Sequence, residues 1–291
     1  MSRSVILAVV MGTPSDADVL NAAESLSQVY DSHIEVLHPR LDPYRVLAGL
    51  VDSIGSLGTS DIIVGLKQDI DRRTTLARNA FSAWIARSDA IVDPQLSSGA
   101  ASLANGTITS WREYEGTYDS ALTQYGRLAD LIVVAQPASG SNQSQDTVVE
   151  AAIFVTGRPV LCVPHGFETL DMKHMAIMWN GSLQAARAVG DAMPLLSACT
   201  DAVVLTAGVI DGPGATDLVE RLVLRGIDAR TRRIPASPDA APTALLKILS
   251  EIQCGIAVMG GYGHSRLREL LLGGVTRQML ADAKIPLLLA H

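Results

Sequence analysis

The chain presents one pattern twice, and that repetition limits what it can fold into. A short Val/Ile/Leu run, Ser4 to Val10, turns at Met11-Gly12-Thr13 and leads into a helical pattern; a second run, His174 to Trp179, turns at Asn180-Gly181-Ser182 and does the same. Behind the first turn, Val19, Ala22, Leu26 and Val29 recur at steps of three and four, and behind the second, Ala186, Val189, Met193 and Leu196 do so. Each series marks one apolar stripe on a helix. The halves also close alike. Ala129-Asp130-Leu131-Ile132-Val133-Val134-Ala135 matches Cys254-Gly255-Ile256-Ala257-Val258-Met259-Gly260, and Arg158-Pro159-Val160-Leu161-Cys162-Val163-Pro164 matches Lys284-Ile285-Pro286-Leu287-Leu288-Leu289-Ala290. The separation of matched positions shrinks from 169 residues (Gly12 to Gly181) to 125 (Ala129 to Cys254), so the first half carries about 44 extra residues, mostly within 41–88. There Arg72 to Arg87 reads as a helix with Leu76, Ala80 and Trp84 on one side.

Near-continuously apolar strands alternating with helices indicate a parallel sheet covered on both faces. In the second half strands are expected at 174–179, 202–207, 227–234, 255–260 and 285–290, and helices at 183–197, 215–225, 240–252 and 274–283. Right-handed crossovers then give a doubly wound α/β layout. The expected organisation is two tandem domains, 1–164 and 174–291, joined by a linker at 164–173 that holds Pro, Gly and charges.

Composition removes several classes. With 48% apolar and 18% charged residues, wholesale disorder is excluded. A net charge of −7 and the absence of any Lys/Arg run denser than Arg230, Arg232 and Arg233 argue against nucleic-acid or anionic-membrane partners. No apolar stretch reaches the ~18 residues of a membrane span, and the run at 5–10 reads as a first strand rather than a signal peptide. Cys162, Cys199 and Cys254 are widely spaced, with no CxxC, which fits reduced, mostly buried thiols and a cytoplasmic location. The six histidines lack metal-ligand spacing, so no metal site is expected.

The segment richest in chemistry runs from Met259 to Thr276, MGGYGHSRLRELLLGGVT. It follows a strand and opens a helix, a junction that gathers unpaired amides and the positive end of a helix dipole. Glycine lets backbone approach a phosphate closely, and the Thr276 hydroxyl stands in the helix's first turn. The same glycines also suit a plain turn. There is no GxxxxGK[ST], and Arg266 stands where a GxGxxG would need its third glycine, so neither common phosphate loop is present. His264 and Ser265 have no identifiable orienting carboxylate, and no residue qualifies as catalytic.

The spacing Gly260-x2-Gly263-x9-Gly273, followed by Gly274-Val275-Thr276, resembles the nucleotide loop of the universal stress protein family. Trp179-Asn180-Gly181-Ser182 is similar to that family's first-strand turn, and Ile285 to Leu289 to its last strand. The resemblance covers the second half well and the first weakly. It implies five-stranded parallel sheets of the adenine nucleotide alpha hydrolase-like type in both domains, and binding of ATP or AMP, alone or with Mg, in the C-terminal domain. Asn180 would contact the ribose or base edge, and Gly260, Gly263, Gly273, Gly274, Val275 and Thr276 would wrap the phosphates. The implied role is stress-response regulation, with at most slow ATP hydrolysis. Two positions depart from the family pattern: Asn180 replaces an Asp, and Gly274 a Ser or Thr. In the first half Met11 takes the acidic position and the spaced glycines are missing, so that half is expected to bind no nucleotide in this mode. The alternative is an interaction or small-ligand-sensing protein of the same fold with no nucleotide. Because family members pair through their last strands, 158–164 and 285–290 are expected to lie together as an internal pseudo-dimer, an arrangement that also allows whole chains to form homodimers.

Overall fold

The computed structural model describes residues 4–47, 59–93, 107–137, 143–167, 170–208, 212–237, 240–261 and 274–291. Two compact units divide at Ala135/Gln136.

The first unit holds β1 (Ser4–Val9), α1 (Asp16–Tyr30), β2 (Ser32–Leu41), α2 (Thr59–Ile85), β3 (Ile91–Val92), β4 (Ile108–Gly116), α3 (Tyr118–Tyr125) and β5 (Leu131–Ala135). Its strands run parallel in the order β3-β4-β2-β1-β5. Strand β1 is central, and Ile6, Leu7, Ala8 and Val9 are fully buried, as a strand covered on both faces requires. Helix α3 begins with a reciprocal cap: Ser120 N donates to Thr117 Oγ1 (3.1 Å) and Thr117 N to Ser120 Oγ (2.9 Å). The long α2 is the first half's extra segment. It begins well before the expected Arg72, and its Trp84 is completely buried, with the indole Nε1 donating to Glu24 of α1 at 2.8 Å.

The second unit holds α4 (Gln143–Thr156), β6 (Val160–Val163), β7 (His174–Met178), α5 (Leu183–Asp191), α6 (Met193–Ala198), β8 (Asp201–Ala207), α7 (Ala215–Val223), β9 (Ala229–Ile234), α8 (Ala241–Glu251), β10 (Ile256–Gly260), α9 (Gly274–Asp282) and β11 (Leu287–Ala290). The order is β6-β11-β10-β7-β8-β9, parallel except where β6 meets β11. Strands β7 to β11 are the five parallel strands expected of the second repeat. The helix expected over 183–197 is two helices, because Pro194 supplies no N–H donor and the first helix ends at Asp191.

The anticipated pairing of the two last strands is present. Strand β6 runs antiparallel to β11, with Leu161 opposite Leu288 and Val160 opposite Leu289. This ladder explains why the compact division precedes α4 and β6 rather than falling in the linker: main-chain bonds and fully buried Val160, Leu161, Cys162 and Val163 fix the segment to the second unit. Burial also pushes the Cys254 thiol up to about 12 and the Cys162 thiol upward, so both stay protonated and inert.

Candidate site at the strand ends of the second unit

In an open α/β sheet a ligand crevice opens beyond the carboxyl ends of the strands, where the winding reverses. In the second unit that reversal lies between β7 and β10, which are neighbours. The turn after β7 is built by local hydrogen bonds. Gly181 takes φ +77°, which favours glycine. The Asn180 amide oxygen accepts Ser182 N at 3.1 Å, and Ser182 Oγ caps α5 by accepting Ala185 N at 3.2 Å. Asn180 is exposed beyond the end of β7. Trp179 is buried, and its indole donates to the Pro213 carbonyl at 2.8 Å, tying the loop after β8 to this turn.

Gly260 ends β10. A Cβ there would stand 2.5 Å from Ala185 N and 2.7 Å from the Gln184 carbonyl carbon. The first turn of α5 therefore rests on the end of β10, and the two segments singled out in the sequence meet. Position 260 requires glycine for this contact whether or not a ligand is bound. The next residue is anchored too, with Gly261 N donating to the Ala290 carbonyl at 2.8 Å. Gly274, Val275 and Thr276 form the first turn of α9; Val275 is half-buried and Thr276 buried. Gly263 and Gly273 lie outside the described residues.

The corresponding turn of the first unit is filled by the chain itself. Gly12 has φ +69°, and a Cβ on it would run into the backbone of Arg73 in α2. Asp16, 1% exposed, turns its carboxylate into the turn and accepts Met11 N (2.9 Å), Gly12 N (2.8 Å) and the Thr13 hydroxyl (3.2 Å). Burial raises the pKa of this carboxyl, and the amides pull it back. The acid missing at Met11 is thus replaced by one from the helix. Sequence reasoning passed over Asp16, although Thr13-x-x-Asp16 has the spacing of a helix start.

His38 closes the same region. It is buried on β2, with Nδ1 donating to the Val10 carbonyl (2.9 Å) and Nε2 beside Thr74 Oγ1 of α2 (3.1 Å). Burial lowers its pKa, partly offset by the Val10 bond and by Asp16 and Glu113. Between the unfolded value of about 6.5 and the lower folded one, the unfolded chain holds more protons. The stability is present above pH ~6.5 and declines as pH falls through the folded pKa, by at most ~1.4 kcal/mol per unit. Urea midpoints at pH 7.5 and 5 should differ in the wild type, and the difference should shrink in His38→Gln.

Among the described residues no group of acids, histidines and cysteines could hold a metal, and no helix is long and apolar enough to cross a membrane. No protein-family model and no curated protein sequence matches the chain. Solved structures do. A universal stress protein from Archaeoglobus fulgidus is similar over 99% of this chain and 96% of its own, at 14% identity and a TM-score of 0.68. A putative universal stress protein from Pseudomonas aeruginosa matches over 99% and 93%, at 12% identity and 0.52. A functionally unknown protein from Pseudomonas aeruginosa matches over 99% and 92%, at 13% identity and 0.53. Repeated α/β architecture within the chain and full-length similarity outside it agree: this protein has the fold of the universal stress proteins.

Proposed function

We propose that the protein is an adenine-nucleotide-binding stress-response regulator of the cytoplasm, built of tandem repeats at 1–164 and 174–291, with ATP or AMP bound in the second. The reading is supported most by the contact of Gly260 with Gln184 and Ala185, which joins the Asn180 turn to the start of the glycine segment at the reversal of the sheet. Asn180 and the backbone of Gly260, Gly263, Gly273, Gly274 and Val275, with the Thr276 hydroxyl, form the binding set. Mg would accompany the phosphates; among the described residues no cluster offers it a protein cage, so its ligands would come from the nucleotide and water. No residue stands out in the sequence as a base, so any hydrolysis of bound ATP should be slow. A second reading, an interaction protein without nucleotide, draws on the Asn180 oxygen being engaged within its own turn.

Calorimetry with Mg-ATP and AMP separates the two. Binding is expected, and Thr276→Val should weaken ATP about tenfold, the effect of one lost hydroxyl contact. Absence of heat with either nucleotide favours the interaction protein.

A further inference from the structure

The densest basic run of the sequence, Arg230, Arg232 and Arg233, stands on an open edge of the sheet. These residues belong to β9, the last strand in the order of the second unit, which pairs only with β8. In a parallel ladder alternate residues of a strand bond to a given neighbour. Ala202 N donates to the Asp228 carbonyl at 2.8 Å, and the register from Ala202 opposite Ala229 to Ala207 opposite Ile234 carries that alternation along the strand. Arg230 and Arg232 therefore commit their N–H and C=O groups to β8, whereas Ala229, Thr231 and Arg233 turn theirs outward. Among the described residues no strand pairs with that outer side.

Arg230, Thr231, Arg232 and Arg233 are all exposed, and every charge within the strand is positive. Side chains alternate, so Arg230 and Arg232 share one face of the sheet and Thr231 and Arg233 the other. Arg230 reaches Asp201 at 3.4 Å and Arg232 reaches Glu251 at 2.8 Å, with the two arginine side chains 59% and 42% exposed. Surface pairs of this kind contribute little and can exchange for another carboxylate. Both acids are shared, Asp201 with His174 and Glu251 with Lys247. Arg233 has no ion pair among the described residues. Charge on an open edge discourages unwanted strand pairing, and charge of a single sign makes the edge selective. A second copy paired antiparallel about Thr231 would set Arg230 of one chain opposite Arg232 of the other, and like charges directly opposed are unfavourable. An acidic strand would meet the same arginines with carboxylates, which a guanidinium binds through two parallel N–H bonds.

We propose that the β9 edge takes an extended acidic segment of another protein as an additional strand. The main chain of that segment bonds to Ala229, Thr231 and Arg233, and its carboxylates select it through the arginines. The inference stands whether or not the crevice holds a nucleotide.

The test is fluorescence anisotropy on the full chain with a labelled peptide of about the strand's length in which Glu alternates with Val. Its controls are the same peptide with Lys for Glu, the Glu peptide N-methylated throughout, and an oligothymidine of matching charge. The Glu peptide should bind, and more weakly as salt rises. The methylated peptide keeps the carboxylates but has no N–H to donate, and the Lys peptide reverses the charge, so each should bind at least about tenfold more weakly. Hydrogen exchange of the Thr231 and Arg233 amides should slow when the Glu peptide is added, while the Arg230 and Arg232 amides, already bonded to β8, change little. Arg230→Glu should weaken binding about tenfold by reversing one contact, with peptide-free melting temperatures as the control for folding. No binding of the Glu peptide overturns the proposal. So does equal binding of the methylated peptide, the Lys peptide or the oligothymidine, or an affinity unchanged by Arg230→Glu in a folded variant.

Discussion

Gly12→Val is expected to unfold the first unit, at a cost of about 4 kcal/mol. Two effects add. The backbone at φ +69° suits glycine, and a β-branched residue held there costs ~1–3 kcal/mol. The new side chain would also enter α2, where the Arg73 Cα and carbonyl carbon stand 2.6 and 2.7 Å from the position of a Cβ. Helix backbone cannot swing aside as a side chain can, so overpacking adds a further ~1–3 kcal/mol. Gly157 provides the control. It has φ +66° but open space around its Cα, so Gly157→Ala should cost only about 1 kcal/mol. Hydrogen exchange of β1 and β2 amides reads the first variant and that of β6 and β11 amides the second, with urea midpoints for both. Equal costs would mean that α2 does not press on the turn.

Asp16→Ala is the second large effect, about 3 kcal/mol. It strips the Met11 and Gly12 amides of their acceptor in a buried place, and an unsatisfied buried donor costs ~1–3 kcal/mol. Asp16→Asn should cost less, since an amide oxygen can still accept one of these bonds and no charge is buried. The vacated space is the size of a carboxylate. Formate should therefore raise the melting temperature of Asp16→Ala while leaving wild type unchanged. A variant as stable as wild type would show that the amides find another partner.

The architecture was legible where apolar runs were short and flanked by turn residues. Strands expected at 202–207 and 255–260 appear as Asp201–Ala207 and Ile256–Gly260, and the helix expected at 215–225 as Ala215–Val223. The early turns of α2 were missed because Ile62, Ile63, Val64 and Leu66 crowd together without a stripe, with Gly65 among them. The break after Asp191 was signalled by Pro194 and outweighed by the helical period. At the site, spacing located Gly260 but could not show that a neighbouring helix needs it to be glycine. The hydrogen bond from Arg187 Nη1 of α5 to the His291 main-chain oxygen spans 104 positions, a distance across which local pattern carries no information.

The antiparallel seam between β6 and β11 sets where the gene can be divided. A fragment begun at residue 174 would retain all five strands of its own repeat yet leave Leu287, Leu288 and Leu289 with a bare rim, inviting self-association. A fragment begun at residue 136 takes its covering strand along, so the workable cut lies well upstream of the apparent linker.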